Sequence, residues 1–364
     1  MAGWEYHRAA ILTGRRLVSS HENHCQLPKF LIIQTAFIGD AVLATGILEK
    51  LYAFFPAASI DFLVRKGNES LFTGHPYLHQ LLVWDKQTHK RRNLLRMLRQ
   101  IRRNRYDKVI NLQRFAATGI LTAFSAAGET IGFDKNPLSF LFSRSVPHQV
   151  GQAEDGLHET ARNNALISHF TDERVFRPRL YPAPADFKAT ARYKSYPYIC
   201  LAPSSVWFTK QLPADQWVEL LHAVPDTLQV YLIGGPADKS FINTICDAVS
   251  GRAVTNLAGE LSLLQSAALM TDAVMNYVND SSPMHLASAM NAPVTAVYCS
   301  TVPAFGFGPL SDQRFIVETP VNLSCRPCGL HGRTACPLGH FNCARSITTG
   351  QLLNSLPVIT PPSG

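Results

Sequence analysis

Short apolar runs alternate with helical segments along most of the chain, and this alternation restricts its fold more than any other feature. Strand-helix-strand alternation predicts a parallel sheet covered by helices. The runs form two series, so we predict an α/β chain with two doubly wound domains facing a cleft, where ligands of such sheets bind. The predicted strands are 30–35, 59–65, 81–85, 108–113 and 130–133, then 198–205, 229–235, 253–259, 272–279 and 293–299.

A proline-rich stretch at 177–197 separates the two series. We therefore predict an N-terminal domain at 28–180, a linker at 181–197 and a C-terminal domain at 198–364. Residues 1–27 lack a convincing small-residue cleavage site, so we interpret them as a loosely ordered N-terminal extension and not as a signal peptide. No apolar run approaches the roughly 18 residues that a membrane span needs, so the chain is expected to be soluble or at most peripheral.

The segment from Lys86 to Lys108 concentrates the positive charge of the chain. It carries ten Lys or Arg residues against one acid, in a chain whose net charge is +8. Leucines and an isoleucine recur there at helical spacing, which predicts an amphipathic helix with the inner stripe Leu94, Leu95, Leu98 and Ile101. Its basic face is either a solvated surface or a contact for a phospholipid surface, a phosphorylated acceptor or nucleic acid. The candidate contacts are Arg91, Arg92, Arg96, Arg99 and Arg103.

The stretch "YVNDSSPMHLASAM" (277–290) is typical of a buried strand that runs into a helix. Ser282 is suited to be the N-cap and Pro283 to be the first helical residue. The free amides of Met284 and His285, with the helix dipole, would then form an anion site at the carboxyl end of a strand. The alternative is an ordinary strand-to-helix turn without a ligand, in which His285 is a capping or core residue.

Asp40 and Lys210 are the candidate chemical groups at the mouths of the two sheets. Asp40 follows the first strand and Gly39, and it is either a first-turn acid favoured by the helix dipole or a general base that faces the cleft. Lys210 lies in the loop after Ser204 and Ser205, and it is either an exposed lysine or the cation that stabilises a leaving phosphate. The chain has no D-x-D motif, the acidic pair that often holds a divalent metal ion against a nucleotide sugar. Stabilisation of the negative charge on a leaving phosphate would therefore fall to Lys210 and the helix N-terminus.

Four of the eight cysteines lie close together near the C-terminus: Cys325, Cys328, Cys336 and Cys343. The first two form a C-x₂-C pair that suits structural zinc, but the second pair, C-x₆-C, is wider than usual. Reduced thiols that pack a loop are the favoured interpretation, with zinc and disulfides as alternatives. A cytoplasmic enzyme would rarely contain disulfides.

Several motifs in order make the chain resemble glycosyltransferase family 9, the lipopolysaccharide heptosyltransferases, over roughly residues 28–345. They are "FLIIQTAFIGDAVLATGILEKL", "HETARNNAL" (158–166), "APSSVWFTKQLPADQW", "NLAGELSL" (256–263) and "VNDSSPMHLASAMNAPVTAVYCST". The pieces "CRPC" and "CPLGHFNC" are similar to the tail of the heptosyltransferase II branch. The chain differs from the usual family pattern at Ser282, where a glycine is common.

The resemblance implies a GT-B fold, in which two Rossmann-like domains bind the acceptor in the N-terminal half and the nucleotide sugar in the C-terminal half. It implies inverting, metal-independent transfer of heptose from ADP-heptose to the inner core of a lipid A precursor, without a cofactor. Asp40 would activate the acceptor hydroxyl and Lys210 would hold the donor phosphates. The other donor-binding residues would be Ser204, Ser205, Gly259, Asp280, Ser281, Ser282, Met284 and His285.

Asp280 is an unexpected residue in a phosphate site, because its carboxylate would repel a phosphate bound beside it. We expect Asp280 to hold sugar hydroxyls or neighbouring backbone amides. The basic helix would suit an anionic, lipid-linked acceptor handled at the cytoplasmic face of the inner membrane. The resemblance assigns no catalytic role to the Cys-rich loop 325–343.

Two other functions are compatible with parts of the pattern. A GT-B relative could epimerise or hydrolyse a nucleotide sugar without an acceptor. The basic helix and the cysteines could instead belong to a nucleic-acid-binding protein. The charge is confined to one helix that lies far from the cysteines in sequence, so we do not expect a nucleic-acid partner.

Overall fold

A computed structural model describes residues 27–149 and 157–358 of the chain; the predicted N-terminal extension lies almost wholly outside the described residues. The N-terminal half contains β1 (Lys29–Ile33), α1 (Ile38–Phe54), β2 (Ser59–Arg65), β3 (Gln80–Trp84), α2 (Lys90–Asn104), β4 (Lys108–Asn111), α3 (Ala116–Ala123), β5 (Glu129–Phe133), β6 (Arg144–Val146) and α4 (Glu159–Ala165).

After α5 (Pro184–Thr190), the C-terminal half repeats the same alternation. It contains β7 (Tyr198–Ala202), α6 (Ala214–Ala223), β8 (Gln229–Leu232), α7 (Lys239–Ala248), β9 (Val254–Asn256), α8 (Leu263–Thr271), β10 (Met275–Asn279), α9 (Ser282–Ala289), β11 (Val294–Tyr298), β12 (Arg314–Glu318), α10 (Asn342–Arg345) and α11 (Thr349–Leu353). All of the predicted strands are present.

Each half forms a six-stranded sheet, and every described strand pair is parallel. The first sheet has the order β3-β2-β1-β4-β5-β6, and the second, read from its other edge, has the equivalent order β9-β8-β7-β10-β11-β12. The order therefore reverses between β1 and β4 in one sheet and between β7 and β10 in the other. Open α/β sheets bind ligands in the crevice at this switch point, beyond the carboxyl ends of the strands.

One apolar cluster runs through both halves. It joins β1 and α1 residues such as Phe30 and Ile47 to residues of the second sheet and its helices, such as Val278 and Met284. Helix α1 packs directly against α9. Burial of apolar surface thus holds the two halves together along the side of the cleft where their switch points lie.

The structure differs from the sequence predictions at several elements. β6 and β12 were not predicted, and the proline-rich stretch contains α5, which packs against α8. The prediction that Leu95 belongs to the inner stripe of the basic helix is wrong, because Leu95 is 52% exposed and Met97 is buried instead. The stripe is thus Leu94, Met97, Leu98 and Ile101, at the i, i+3, i+4, i+7 spacing of one helix face. Among the described residues, none of the helices has the length and apolar character to cross a membrane.

Candidate active site

The two switch points place the predicted site residues on opposite walls of one crevice. Asp40 lies in the first turn of α1, just beyond β1, and Lys210 lies in the loop that follows β7. Asp280 and the 281–285 turn follow β10, the neighbour of β7. Parallel strands bring these loops to one sheet edge, although Lys210 and Asp280 are far apart in sequence.

Asp40 is a partly buried carboxyl group that holds its proton to a higher pH than an ordinary aspartate does. Burial raises its pKa to about 6, and the negative charge of Glu159 adds to this effect. Hydrogen bonds from the amides of Phe37 and of Asp40 itself, and the positive charge of Lys210, act in the opposite direction. The influence of Lys210 places a cation of the C-terminal half near the carboxyl group of the N-terminal half.

Glu159 belongs to a buried ion pair at the start of α4. Its Oε2 accepts hydrogen bonds from Nε of Arg162 at 2.9 Å and Nη2 at 2.7 Å. Arg162 also donates to the carbonyl of Phe305 at 3.3 Å, and the amide of Glu159 donates to the carbonyl of Gly306 at 2.7 Å. Glu159 is therefore fixed by both halves of the molecule. Its sequence motif, "HETARNNAL", gave no sign of the contact with the second half, because Gly306 comes from a distant part of the chain.

Lys210 and Asp280 form an ion pair in the opposite wall. The ammonium Nζ lies 2.7 Å from Oδ2 of Asp280, and the side chains are 15% and 8% exposed. The hydroxyl of Thr301 donates to the same oxygen at 2.6 Å. The contacts of the Asp280 carboxylate among the described residues come from side chains and not from backbone amides, and binding of sugar hydroxyls by Asp280 stays a prediction. Its charge is balanced by Lys210, which reduces the expected repulsion of a nearby phosphate.

The turn after β10 differs from its predicted geometry. Helix α9 begins at Ser282, so Ser281 and not Ser282 is the N-cap, and its side chain makes no capping hydrogen bond. The amide of Met284 is not free, because it donates to the carbonyl of Ser281 at 3.1 Å. The Met284 side chain is buried, and its sulfur accepts a hydrogen bond from Tyr298 at 3.3 Å. Met284 is therefore a core residue whose side chain packs under the 281–285 turn.

His285 is buried where α9 meets α1. Burial, with smaller contributions from His158 and Lys210, lowers its pKa to about 3. Its Nδ1 has no hydrogen-bond partner among the described residues. A Cβ atom at Gly39 would lie 2.7 Å from Cδ2 of His285, so only glycine permits this close approach of the two helices. His285 thus lies directly behind the turn that carries Asp40.

The remaining predicted donor residues surround the same edge of the second sheet. The hydroxyl of Ser204 is buried and has no partner among the described residues, and the carbonyl of Ser205 accepts a hydrogen bond from Gln211 at 2.5 Å. Gly259 follows β9 with a φ of +77°, and a Cβ atom there would lie 3.0 Å from Cα of Pro236. Its conformation and its contact with Pro236 both require glycine.

The Cys-rich loop 325–343 packs on the segment that carries Lys210. The amide of Thr209 donates to the carbonyl of Arg333 at 3.1 Å, and the amide of Arg333 donates to the Thr209 hydroxyl at 2.8 Å. A Cβ atom at Gly332 would lie 2.9 Å from Cγ of Lys210. Burial lowers the pKa of His331, and the nearby charges of Arg114 and Lys210 contribute. The sequence did not predict this packing of the Cys-rich loop against Lys210, because only folding brings the two segments together.

The four cysteines of this loop approach one another. Burial raises the pKa of Cys343 to about 11, with further contributions from Cys328, Cys336 and Cys325. No disulfide joins any of the described cysteines. Within residues 27–149 and 157–358, no His, Cys, Asp and Glu side chains form a group of three or more that could hold a metal ion.

The predicted basic contacts lie on α2 of the N-terminal half and not in the crevice itself. All five are exposed, and four of them share one stripe at helical spacing: Arg92, Arg96, Arg99 and Arg103. Arg91 lies off this stripe, on the wall of a cavity between α2 and α3.

Comparison with known proteins identifies the family. The model of glycosyltransferase family 9 (heptosyltransferase) matches residues 94–335. The chain belongs to glycosyltransferase family 9. It is therefore a glycosyl-transfer enzyme, as its sequence motifs predicted.

The relatives of this family 9 enzyme agree in fold and in length. It is 24% identical over 281 residues to lipopolysaccharide heptosyltransferase 3 of Escherichia coli, covering 73% of this chain and 82% of that protein. The structure of E. coli ADP-heptose lps heptosyltransferase II superposes with a TM-score of 0.72 at 22% identity, covering 90% and 97% of the two chains. The structure of E. coli heptosyltransferase WaaC with ADP gives 0.67 at 16% identity, covering 90% and 98%. The predicted GT-B arrangement is confirmed.

Proposed function

We propose that this enzyme transfers a heptose, or a related sugar, from ADP-heptose to the inner core of a lipid A precursor, with inversion at the anomeric carbon and without a metal ion. The observation that carries the proposal is the placement of a carboxyl group and an ammonium group on opposite walls of one crevice, Asp40 on the first sheet and Lys210 on the second. The relative named ADP-heptose lps heptosyltransferase II supports ADP-heptose as the donor, and the lipopolysaccharide heptosyltransferases support a lipopolysaccharide precursor as the acceptor. The E. coli relative WaaC was solved with ADP, which supports adenosine diphosphate as the leaving group here.

Asp40 would act as the general base. Its carboxylate takes the proton of the acceptor hydroxyl, whose oxygen forms a bond to the anomeric carbon as the bond from that carbon to the phosphate oxygen breaks. A pKa of about 6 keeps Asp40 mostly ionised at neutral pH while making it a stronger base than an ordinary aspartate. A single displacement from the face opposite the leaving group inverts the anomeric centre.

Lys210 would neutralise the charge that develops on the departing diphosphate. Its ammonium group pairs with Asp280, so a bound donor would either displace that carboxylate or share the ammonium with it. The unpaired hydroxyl of Ser204 is a further donor or acceptor at this edge. These groups supply cationic and hydrogen-bonding stabilisation from the chain itself, which supports a metal-independent reaction.

The decisive experiment is a calorimetric titration with ADP, UDP and GDP, with and without EDTA, followed by transfer from ADP-heptose to a core acceptor. Selective, EDTA-insensitive ADP binding and an inverted product are expected. Preference for UDP or GDP would redirect the donor, and product formation without any acceptor would favour a nucleotide-sugar epimerase or hydrolase. Asp40→Ala should abolish transfer while donor binding remains nearly intact.

The exposed arginine stripe on α2 would hold the enzyme to an anionic membrane surface at the cytoplasmic face of the inner membrane. A basic residue near such a surface contributes about 1 kcal/mol, and the effect falls with salt. Replacement of Arg96 and Arg99 with glutamine should weaken salt-sensitive binding to phosphatidylglycerol vesicles. Equal binding of the variant and the wild type would contradict this part of the proposal.

A further inference from the structure

A cavity of about 320 Å³ lies beside the crevice in the N-terminal half, between the beginnings of α2 and α3. Its lining combines three cationic side chains, Lys86, Lys90 and Arg91, with apolar side chains that include Trp84, Leu94 and Phe115. The assigned donor residues all lie in the other half, so none of them uses this cavity. Its volume is within the range of small-molecule sites, roughly 300–1,000 Å³.

The cavity opens at the same carboxyl sheet edge as Asp40. Lys86 donates to the carbonyl of Thr35 at 2.7 Å, and Thr35 lies in the loop that leads from β1 to Asp40. Phe115 lies in the loop after β4, the strand that pairs with β1 at the switch point. A molecule in the cavity therefore lies next to the place where the proposed acceptor hydroxyl meets its base.

Two features of the lining restrict the chemistry of an occupant. The first is apolar surface: Phe115, which lines the cavity, is 58% exposed. The second is positive charge: Nζ of Lys86 lies 5.2 Å from the centre of the Trp84 ring, and burial, with a contribution from Arg65, lowers the pKa of Lys86 to about 8. A bound anion would stabilise the charged form of Lys86.

We propose that this cavity binds an acyl chain of an anionic glycolipid acceptor, whose negative group pairs with Lys86, Lys90 and Arg91. The inference rests on the proposed function, because it specifies how the lipid-linked acceptor is recognised. A sugar ring buried against this apolar wall would leave hydroxyls without partners, which is costly, whereas an acyl chain gains from burial. The three cationic lining residues select an anionic amphiphile over a neutral one.

Dodecyl phosphate below its critical micelle concentration is a direct probe. The full chain is titrated calorimetrically with dodecyl phosphate, inorganic phosphate and dodecyl maltoside. Dodecyl phosphate should bind at least about tenfold more tightly than either of the others, since each buried methylene adds to the affinity. Equal affinity for dodecyl phosphate and inorganic phosphate would overturn the proposal, and equal affinity for dodecyl maltoside would overturn the role of the cations.

Matched variants locate the binding. Ala117→Phe places a ring in the cavity, and Ala116→Phe places the same ring on the exposed surface of the same helix. Dodecyl phosphate affinity should fall at least about tenfold in the first variant only. Arg91→Gln, compared with the exposed Lys135→Gln, gives a second test if Ala117→Phe does not fold. Equal losses in variant and control would refute the site.

Kinetics separate this inference from the proposed function. The ratio of kcat/KM for an acylated acceptor to that for the same glycan without acyl chains should fall at least about tenfold in Ala117→Phe relative to Ala116→Phe. Transfer with an unchanged ratio would reject the acyl site while the transferase proposal stands. Absence of transfer with either acceptor would reject the proposed function, and the direct titration would then decide the lipid site by itself.

Discussion

Lys210 and Asp280 form a nearly buried ion pair, with 2.7 Å between Nζ and Oδ2, at the carboxyl edge of the second sheet. Thr301 fixes the same carboxylate oxygen through a 2.6 Å hydrogen bond. Loss of one partner leaves the other charge buried without compensation, a change that typically costs about 3–5 kcal/mol. The same pair holds the lysine at the position that we assign to the donor diphosphate.

Lys210→Ala should therefore affect both stability and nucleotide binding. We expect the free energy of unfolding to fall by about 3 kcal/mol, because Asp280 loses its counter-charge. Chemical denaturation measures this change, and calorimetry with ADP should reveal a weaker affinity. Lys239→Ala is the matched control, since the Lys239–Glu260 pair has a similar 2.8 Å distance but side chains that are 54% and 52% exposed. The control should change stability by less than about 1 kcal/mol, and equal effects of the two substitutions would contradict the prediction.

The fold was largely predictable because each central strand is a short apolar run bounded by turn residues. β6 and β12 were missed for physical reasons: both are edge strands, β6 has three residues, and most of β12 is exposed. Neither carries the continuous apolar signal of a strand buried on both faces. Leu95 was misassigned because the helix has five apolar residues, Leu94, Leu95, Met97, Leu98 and Ile101, which fit two overlapping stripes, and only packing against the sheet selects one of them.

The residues of the candidate site could be predicted from the sequence, but the contacts between them could not. Asp40, Lys210 and Asp280 were found because each follows a predicted strand. The partnership of Lys210 with Asp280, and the charge of Glu159 beside Asp40, join residues that lie far apart in sequence. The cavity between α2 and α3 also arises only when the helices pack. No local pattern encodes such distances, because tertiary packing sets them.

The pH dependence of transfer should report Asp40. Its pKa is raised to about 6, and the base must be ionised, so kcat/KM should fall as the pH decreases through about 6. Glu159→Gln removes a negative charge that raises this pKa, so the acidic limb of the profile should move to lower pH. Glu219→Gln, an exposed substitution on α6, should leave the limb in place. An acidic limb that does not move in Glu159→Gln would reject the electrostatic coupling.

Asp40 should make the stability of the wild type fall as the pH rises, the opposite of a carboxyl group whose pKa is lowered by folding, and Asp40→Asn should lack this dependence. The folded pKa of about 6 lies above the ordinary value of 3.8, so ionisation of Asp40 destabilises the folded state as the pH rises from about 4 through 6. Asparagine avoids this cost. Its advantage over the wild type should grow by about 2 kcal/mol between pH 4 and pH 8, at about 1.4 kcal/mol per pKa unit. Urea denaturation at the two pH values measures it, and an equal difference at both would show that Asp40 is not desolvated.

Gly39→Ala should disturb the junction of α1 with α9, because its Cβ would lie 2.7 Å from Cδ2 of buried His285. In an unhindered helix this change stabilises by roughly 0.5–1 kcal/mol, whereas overpacking costs about 1–3 kcal/mol. Gly350→Ala on α11 is the matched control, since the nearest atom to its Cβ lies 3.9 Å away. Denaturation should show Gly39→Ala destabilised and Gly350→Ala unchanged or stabilised. If the His285 ring causes the loss of stability, Gly39→Ala should destabilise the His285→Ala variant much less than it destabilises the wild type. An equal loss of stability in both proteins would show that the clash involves another group.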